Sequence, residues 1–379
     1  MSARTTFLFF EVLTSTGRCG VGEATMSSDD SAAAATAQRW FDDHLAGSAL
    51  ADAPSTLDRI AVDSKAESSL VRATALSALE QCLLDLRGKV LGVPVYELLG
   101  GSRRSEIGLY ANVNRGITDR SPEGFVAGAR AAVDAGFTAV KCAPFDGVRP
   151  SDGPDARAIQ FGLERLRGVR AAVGPETRLM ADCHGRLSSD VVKAIVPALL
   201  DLGVFWLEEP LMSHPQMNAV IGSADGTPEI AYDLPVGGAP LDALDDAGIR
   251  LAGGEFEYGI ERFESILRQG RLAYLMPDIK HCGGIWPASV IGAMAAAHGV
   301  RLSPHNPSGP VATMASMHVC ATASNFEILE YQWGEVEGRE ALITPVEPRD
   351  GGIVRCADAP GLGCALDHDA IRGLEIPLD

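Results

Sequence analysis

From about residue 137 onward, the chain alternates between two hydrophobic patterns. Short β-rich apolar runs are separated by longer segments whose apolar residues recur at helical spacing. Repeated strand–helix units predict a parallel sheet, and seven or eight units within about 215 residues favour a closed (β/α) barrel over an open sheet. The predicted strands are FTAVKCAPF (137–145), RLMADCH (178–184), VFWLEEP (204–210), IRLAGGE (249–255), LAYLMPDI (272–279), RLSPHN (301–306) and FEILEYQW (326–333).

Residues 1 to about 110 show a different pattern, in which short strands precede helices. Two β-rich runs within RTTFLFFEVLTSTGRCGVGEA surround Thr16 and Gly17, and this arrangement predicts a β-hairpin. The segment SSLVRATALSALEQCLLDLRGKVLG has apolar residues at helical spacing, and Gly92 is a typical helix stop. The spacing from 210 to 249 is longer than the others and predicts an inserted loop.

Composition limits the classes of protein to which the chain can belong. Its 379 residues, 46% of them hydrophobic, suffice for two domains or for one large domain with an appendage. No apolar run reaches the roughly 18 residues that a membrane helix needs, and the N-terminal apolar run contains Glu11 and resembles a strand. We therefore predict a cytoplasmic protein, and the eight cysteines, which lack CxxC spacing, suit a reducing compartment.

The chain is strongly acidic, with 50 Asp and Glu against 32 Lys and Arg and a formal net charge of −18. Such a surface repels nucleic acid and anionic membranes, so we expect neither as a partner. An anionic small-molecule substrate would need a cation inside its site. Some of the carboxylates could themselves be neutralised by a divalent metal.

Polar residues recur at the predicted ends of the strands, which is where chemistry collects in a (β/α) barrel. Parallel strands are buried on both faces, so ionisable residues there are costly unless they pair or bind something. Any one of them could have a structural role, but the whole set indicates a functional site. In order, the set consists of Lys141, Asp182 with His184, Glu208, Glu255, Asp278, His305 and Glu330.

Three of these residues, Asp182, Glu208 and Glu255, are carboxylates from successive strands. Converging carboxylates cannot all stay ionised unaided, because like charges at close range repel. A hard divalent cation resolves the repulsion, and all-oxygen ligands favour Mg²⁺. Glu208 and Glu209 are neighbours, so only one should point into the barrel, and strand alternation cannot choose between them without the register.

These motifs, in this order, resemble the enolase superfamily in its mandelate racemase branch. ALSALEQCLLDLRGKVLGVPVYELLGG resembles the helix and connector that lead into the family's barrel. FWLEEP resembles the fourth-strand signature, in which the first Glu binds metal, and this assigns Glu208. LMPDIKHCGGI and LSPHNPSGP resemble the sixth and seventh strand ends, where Asp and His form a dyad, here Asp278 and His305.

The resemblance implies a fold and an assembly. The family's fold is a (β/α)7β modified TIM barrel beneath an α+β capping domain, which the C-terminal tail completes. We accordingly expect a capping domain at 1–110, a catalytic barrel at 111–340 and a returning C-terminal segment at 341–379. Family members usually form even-numbered assemblies, so a homo-oligomer is expected.

The resemblance also implies a mechanism for a small carboxylate substrate. Metal binds the substrate carboxylate, a base removes the α-proton, and an enolate forms. Mg²⁺ and Lys141 would supply positive charge where negative charge develops. Glu330 matches a Glu that hydrogen-bonds a carboxylate oxygen, for which it must be protonated or meet charge that the metal offsets. Asn112 follows the first barrel strand and is a candidate contact for the substrate's hydroxyls.

Two departures from the branch refine the predicted reaction. Racemases of this branch carry Lys-x-Lys on the second strand, but here Ala143 replaces the second Lys, so two-base racemisation is not expected. Cys142 lies on the opposite face of the strand and is expected to be a packed thiol. Glu255 lies 47 residues after Glu208 (255 − 208), beyond the usual spacing, which leaves Glu257 as a fallback ligand.

The Asp-x-His motif formed by Asp182 and His184 resembles the third strand of sugar-acid dehydratases, in which this His protonates the departing 3-hydroxyl. The alternative role for His184 is only to hydrogen-bond a substrate hydroxyl. We therefore predict a carbon–oxygen lyase, namely a Mg²⁺-dependent dehydratase that converts a sugar acid into a 2-keto-3-deoxy acid. The alternative is an epimerase, racemase or cycloisomerase that acts through the same enolate.

Overall fold

Eight parallel strands form a closed barrel in the computed structural model, which describes residues 5–26, 29–63, 69–211, 248–356 and 358–374. Neighbouring strands pair in chain order, and the last strand pairs with the first. A bridge between Leu302 and Phe326 joins the seventh strand to the segment that leads into the eighth. The barrel strands are β3 (Glu106–Asn112), β4 (Ala139–Cys142), β5 (Arg178–Asp182), β6 (Val204–Glu208), β7 (Leu251–Gly253), β8 (Tyr274–Leu275), β9 (Arg301–Leu302) and β10 (Leu329–Gln332).

Among the described residues, a helix lies between each pair of consecutive barrel strands except β6 and β7. The predicted insertion at 211–248 falls almost entirely on residues 212–247, which lie outside the described residues. Among the described helices, none is long and apolar enough to cross a membrane. The described barrel helices are α5 (Pro122–Asp134), α6 (Arg157–Val173), α7 (Ser189–Asp201), α8 (Ile260–Gln269), α9 (Ile285–Ala297) and α10 (Pro310–Thr322).

Strand alternation divides the barrel residues between an inner and an outer core. Cys142 belongs to the outer core beneath the helices, where burial raises the pKa of its thiol to about 12. It is therefore a packed, protonated thiol, as its position on the strand predicts. The inner core is filled by Tyr110, Ala139, Met180, Trp206, Ala252, Tyr274, Met276 and Ile328.

The N-terminal region has the predicted hairpin and long helix. β1 (Phe9–Leu13) and β2 (Cys19–Glu23) pair antiparallel around the turn at Gly17, whose φ is 81°. The long helix stops where Gly92 adopts a φ of 72°, a conformation that glycine tolerates best. The helices of this region are α1 (Asp30–Trp40), α2 (Ala53–Asp63), α3 (Leu70–Leu91) and α4 (Val95–Leu98).

The C-terminal segment returns to the N-terminal region. Asp85, on α3, accepts a hydrogen bond from the Leu362 amide at 2.7 Å, and Lys89 donates to the Cys364 carbonyl at 3.2 Å. Two short strands of this segment pair antiparallel with each other, and the second of them pairs antiparallel with the start of β3, a strand that spans the predicted boundary at 110. The segment contains β11 (Ile343–Thr344), β12 (Arg349–Asp350), β13 (Ile353–Arg355), β14 (Ala365–Leu366) and α11 (His368–Leu374).

A buried carboxylate attaches the N-terminal hairpin to the barrel. Glu23, at the end of β2, accepts hydrogen bonds from the Gly309 amide at 2.7 Å and the Ala312 amide at 2.9 Å. These amides belong to the start of α10, whose N-terminus favours negative charge. Thr25 donates a further hydrogen bond at 2.7 Å, so both Glu23 oxygens are paired although the side chain is fully buried.

We predict that Glu23→Ala lowers the free energy of unfolding by at least about 2 kcal/mol, because it leaves two buried amides without their acceptor. Urea unfolding followed by circular dichroism measures this change. Glu123→Ala is the matched control, since Glu123 is an exposed acid in the first turn of α5. Equal losses of stability in the two variants would contradict a special role for Glu23.

Candidate active site

A layer of polar side chains lies directly above the inner core, at the carboxyl ends of the strands. Each member follows an inner-core residue by two positions, so strand alternation directs it toward the barrel axis. Tyr110, for example, precedes Asn112, and Trp206 precedes Glu208. The sequence therefore places one ring of polar groups where the strands converge. The layer consists of Asn112, Lys141, Asp182, Glu208, Asp278 and Glu330.

Lys141 is the centre of one half of this layer. Its Nζ lies 2.5 Å from Glu208 Oε1, 3.0 Å from Glu330 Oε1 and 3.8 Å from Asp182 Oδ2. The ammonium also lies 5.4 Å from the centre of the Tyr110 ring. Although burial opposes the charged form, Glu208 and Glu330 raise the pKa of Lys141 above its ordinary value. Lys141 is therefore a fixed positive charge among buried carboxylates.

The strand register separates the two neighbouring glutamates. Glu208 pairs with Asp182 across the sheet and accepts a hydrogen bond from Trp206 Nε1 at 3.0 Å. Glu209 follows the strand with a φ of 37°, and one of its oxygens accepts from the Gly254 amide at 3.2 Å. Its other oxygen is buried and has no hydrogen-bond partner among the described residues. Glu208 thus points into the barrel as predicted, while Glu209 lies at its rim.

Glu255 reaches the site through a turn after β7. Gly254 adopts a φ of 102°, which reverses the direction that strict strand alternation would give to the next side chain. Glu255 Oε2 then lies 3.3 Å from His305 Nε2. Burial, together with Glu209 and Asp182, raises the pKa of Glu255 well above its ordinary value. Glu257, the fallback ligand, is instead paired with Arg262 at 2.8 Å.

Asp278 and His305 form the predicted pair. His305 Nδ1 lies 2.8 Å from Asp278 Oδ2, while its Nε2 faces Glu255 and lies 3.9 Å from Glu330 Oε2. Lys280 Nζ contacts the same Asp278 oxygen at 2.5 Å. Although burial opposes ionisation, Lys280 and His281 hold the pKa of Asp278 well below its usual range. Asp278 is therefore an ionised acceptor that orients the His305 ring.

Lys280 and His281 also lie at this pair, although neither was predicted as a site residue. Both lie within LMPDIKHCGGI, two and three positions after Asp278, and both are almost fully buried. Two ionisable residues within three positions of a strand-end carboxylate were the available signal. Their proximity to Asp278 could have been predicted, but not which of its oxygens they approach.

His184 folds back onto Asp182. Its amide donates to Asp182 Oδ1 at 3.1 Å, and its Nε2 lies 3.1 Å from Asp182 Oδ2. The backbone of His184 has a φ of 47°, which is uncommon outside glycine and often marks functional sites. With 26% of its side chain exposed, His184 is the more open of the two site histidines, since the value for His305 is 12%.

Glu330 is fixed from three sides. Lys141 and Asn112 Nδ2 contact its Oε1, the latter at 2.6 Å, and the Asn306 amide donates to its Oε2 at 3.0 Å. Although burial opposes ionisation, Lys141 and His305 lower the pKa of Glu330. Glu330 is therefore ionised in this arrangement. Asn112, predicted to contact substrate, contacts Glu330 here.

The residues proposed as metal ligands have suitable chemistry. Within the part of the chain that the structure describes, no three His, Cys, Asp or Glu side chains converge closely enough to form a metal cluster. Asp182 and Glu208 nevertheless end adjacent strands, Glu255 lies two residues beyond the end of the next strand, and all three are at most 5% exposed. Together with the unpaired oxygen of Glu209, they form an acidic region whose hard oxygen donors fit Mg²⁺.

Comparisons with known proteins agree with this geometry. The family model described as the mandelate racemase/muconate lactonizing enzyme N-terminal domain matches residues 2–100, and the model described as enolase C-terminal domain-like matches residues 124–370. The chain belongs to the enolase superfamily, in its mandelate racemase and muconate lactonizing enzyme branch.

Individual relatives extend this result. A D-galactonate dehydratase from Variovorax paradoxus (strain S110) is 32% identical over 304 residues, which cover 79% of this chain and 72% of the relative. A D-galactonate dehydratase from Ralstonia nicotianae is 32% identical over 301 residues, which cover 78% and 72%. The crystal structure of a mandelate racemase/muconate lactonizing enzyme from Jannaschia sp. CCS1 has a TM-score of 0.82 and 26% identity, covering 100% of this chain and 95% of that one.

Family, fold class and enzyme class are thereby confirmed as predicted. The fold is the (β/α)7β barrel with its N-terminal capping region, and the dehydratases among the relatives support a carbon–oxygen lyase. The roles of individual residues, the cytoplasmic location and the homo-oligomer stay predictions.

Proposed function

We propose that this protein is a Mg²⁺-dependent dehydratase of a sugar acid of the aldonate or aldarate type. It removes the proton α to the carboxylate, expels the 3-hydroxyl and releases a 2-keto-3-deoxy acid. One observation carries the proposal: the site contains two histidines that contact different carboxylates. His305 contacts Asp278, and His184 contacts Asp182. The D-galactonate dehydratases among the relatives support this choice of substrate class.

Asp182, Glu208 and Glu255 would hold the metal ion. When bound, Mg²⁺ supplies positive charge that acidifies the α-proton of a carboxylate substrate. Lys141 already provides one fixed positive charge beside Asp182 and Glu208. The buried, preorganised setting makes this charge effective, because little solvent reorganisation accompanies the reaction.

His305 acts as the base in the proposed first step. A neutral ring that donates its Nδ1 hydrogen to Asp278 presents Nε2 as the acceptor, on the side of Glu255 and Glu330. The α-proton moves to Nε2, and its electron pair delocalises into the carboxylate to form the enolate. Asp278 remains ionised and stabilises the imidazolium that forms.

His184 acts as the acid in the second step. The enolate's electron pair forms the bond between C2 and C3 while the bond between C3 and its hydroxyl breaks. His184 donates a proton to the departing oxygen, which leaves as water, since hydroxide is a poor leaving group. The enol product then tautomerises to the 2-keto acid. Ala143 provides no second base on the face opposite His305, which disfavours epimerisation.

We expect Mg²⁺ to bind the wild-type protein, and Asp182→Asn, Glu208→Gln or Glu255→Gln to weaken this binding at least about tenfold, because each removes an anionic oxygen ligand. Isothermal titration calorimetry with Mg²⁺ alone measures the affinity. Glu209→Gln is the matched control and should have a much smaller effect. A severe effect of Glu209→Gln together with a mild effect of Glu208→Gln would show that the assignment of these two residues is reversed.

With a library of acid sugars and Mg²⁺, we expect the wild type to produce a 2-keto-3-deoxy acid, detectable as its semicarbazone. His305→Asn should slow exchange of the substrate α-proton with D₂O by roughly 10²–10⁴-fold, the usual contribution of a general base. Proton NMR follows the exchange, and Asp278→Asn should be milder because it perturbs only tautomer and orientation. Undiminished exchange in His305→Asn would refute its role as the base.

His184→Asn should abolish dehydration but preserve exchange of the α-proton, because His305 remains intact. Exchange should occur with retention of configuration, since Ala143 offers no base on the other face. Product release and deuterium incorporation, measured in the same reaction, distinguish the two steps. Full dehydration by His184→Asn would exclude it as the acid. Rapid epimer formation by the wild type would instead favour an epimerase.

A further inference from the structure

The motif HCGGI, which follows Asp278 and Lys280, packs against one face of helix α3 in the capping region. Thr74, Ser77 and Glu80 are spaced three residues apart and therefore share that face. All three are buried although they are polar. The proposed catalytic steps use none of them, so their burial beneath the loop after β8 requires another explanation.

Each of the three side chains holds a different part of this loop. Thr74 Oγ1 lies 2.8 Å from His281 Nδ1, and the Gly283 amide donates to Ser77 Oγ at 2.9 Å. Glu80 accepts from the amides of Ile285 at 2.7 Å and Trp286 at 2.9 Å, at the start of α9. The loop is thus anchored at regular intervals along α3.

The glycines of the motif permit this close approach. Gly284 has a φ of 108°, and a Cβ atom built on it would lie 2.2 Å from Glu80 Oε2. Any other residue would push the loop off α3. The loop is therefore fixed to the capping region rather than merely adjacent to it.

His281 connects this anchoring to the dyad. Burial lowers the pKa of His281 to about 3, so its ring is neutral and carries one N–H. Its Nε2 faces the ionised Asp278 Oδ2 at 3.9 Å, an electrostatic contact beyond hydrogen-bond length. Since a carboxylate favours the hydrogen on Nε2, Nδ1 is left to accept the Thr74 hydroxyl hydrogen. By donating to Nδ1, the Thr74 hydroxyl reinforces the tautomer that directs the Nε2–H dipole toward Asp278.

We propose that Thr74 is a positioning residue for the catalytic dyad and acts through His281 and Asp278 on the orientation of His305. The Lys280 amide and the Lys280 Nζ donate to the Asp278 carboxylate at 2.8 Å and 2.5 Å, and both residues belong to the same loop. Thr74 instead ties that loop to another domain. The kinetic part of this inference rests on the proposed function, whereas the tautomer of His281 does not.

The test compares Thr74→Val, which keeps the shape but removes the hydroxyl, with Thr74→Ser, which restores it. We expect Thr74→Val to lower kcat for dehydration about tenfold, a typical effect of removing a partner that orients a functional side chain. KM should change less than about twofold, because Thr74 is buried behind the dyad. Thr74→Ser should recover most of kcat. Thr56→Val, at a buried threonine of α2 outside this interface, is the matched control and should leave kcat unchanged.

Nitrogen NMR of histidine-labelled protein provides a readout that is independent of turnover. We expect the Nε2–H tautomer of His281 in the wild type and a mixture of tautomers in Thr74→Val, with His281→Asn identifying the signal. Wild-type kcat or an unchanged tautomer in Thr74→Val would overturn the proposal, and so would failure of Thr74→Ser to restore kcat. If the wild type dehydrates no acid sugar, the proposed function fails, while the tautomer still decides the role of Thr74.

Discussion

The balance of buried charge at the barrel mouth is the constraint on which this site depends. Lys141 contacts Glu208 and Glu330 and lies within 4 Å of Asp182, all of them almost fully buried. Uncompensated carboxylates would be costly to bury, and one ammonium cannot neutralise them all. Burial accordingly raises the pKa of Glu208 to about 8 and the pKa of Glu255 well above its ordinary value. The oxygen donors at the barrel mouth have the chemistry that a hard cation such as Mg²⁺ prefers.

The capping region contributes to this arrangement from a distance. Glu23 accepts two amides at the start of α10, and Glu80 accepts two amides at the start of α9. These helices follow the loops that carry His305 and Asp278. Helix N-termini favour carboxylates, so the two domains are joined by hydrogen bonds at the starts of the helices that follow the dyad residues. The capping region therefore does more than cover the barrel, since it also anchors the helices that follow Asp278 and His305.

Local backbone geometry completes the site where strand alternation ends. Gly254 turns Glu255 toward His305, and Glu209 and His184 adopt positive φ angles just beyond their strands. Such conformations cost about 1–3 kcal/mol in residues other than glycine and persist only when the surroundings enforce them. For His184 the enforcing contacts are the two to Asp182. The strand ends thus present these side chains in directions that a regular strand could not.

Much of the fold was predictable because its signals are periodic. Alternating strands and amphipathic helices indicated the barrel, and the hairpin at Gly17 and the helix stop at Gly92 follow from glycine's conformational freedom. The strand-end motifs also indicated that Lys141, Asp182, Glu208 and Glu330 would meet, because parallel strands bring their carboxyl ends to one mouth. The secondary structure and the residues at the strand ends were predictable because both depend on patterns within short stretches of sequence.

Other features were decided by tertiary structure alone. Strand alternation could not choose between Glu208 and Glu209, and Glu208 was assigned by family resemblance alone. The physical register comes from the pairing of Glu208 with Asp182 across the sheet. The contacts from Thr74 to His281 and from Glu80 to Ile285 join residues more than 200 positions apart. No local pattern encodes such a contact, because it depends on how two separately folded surfaces pack. The amino-acid sequence by itself determined which chemical groups the strand ends carry, and the packing of the domains determined how those groups are held.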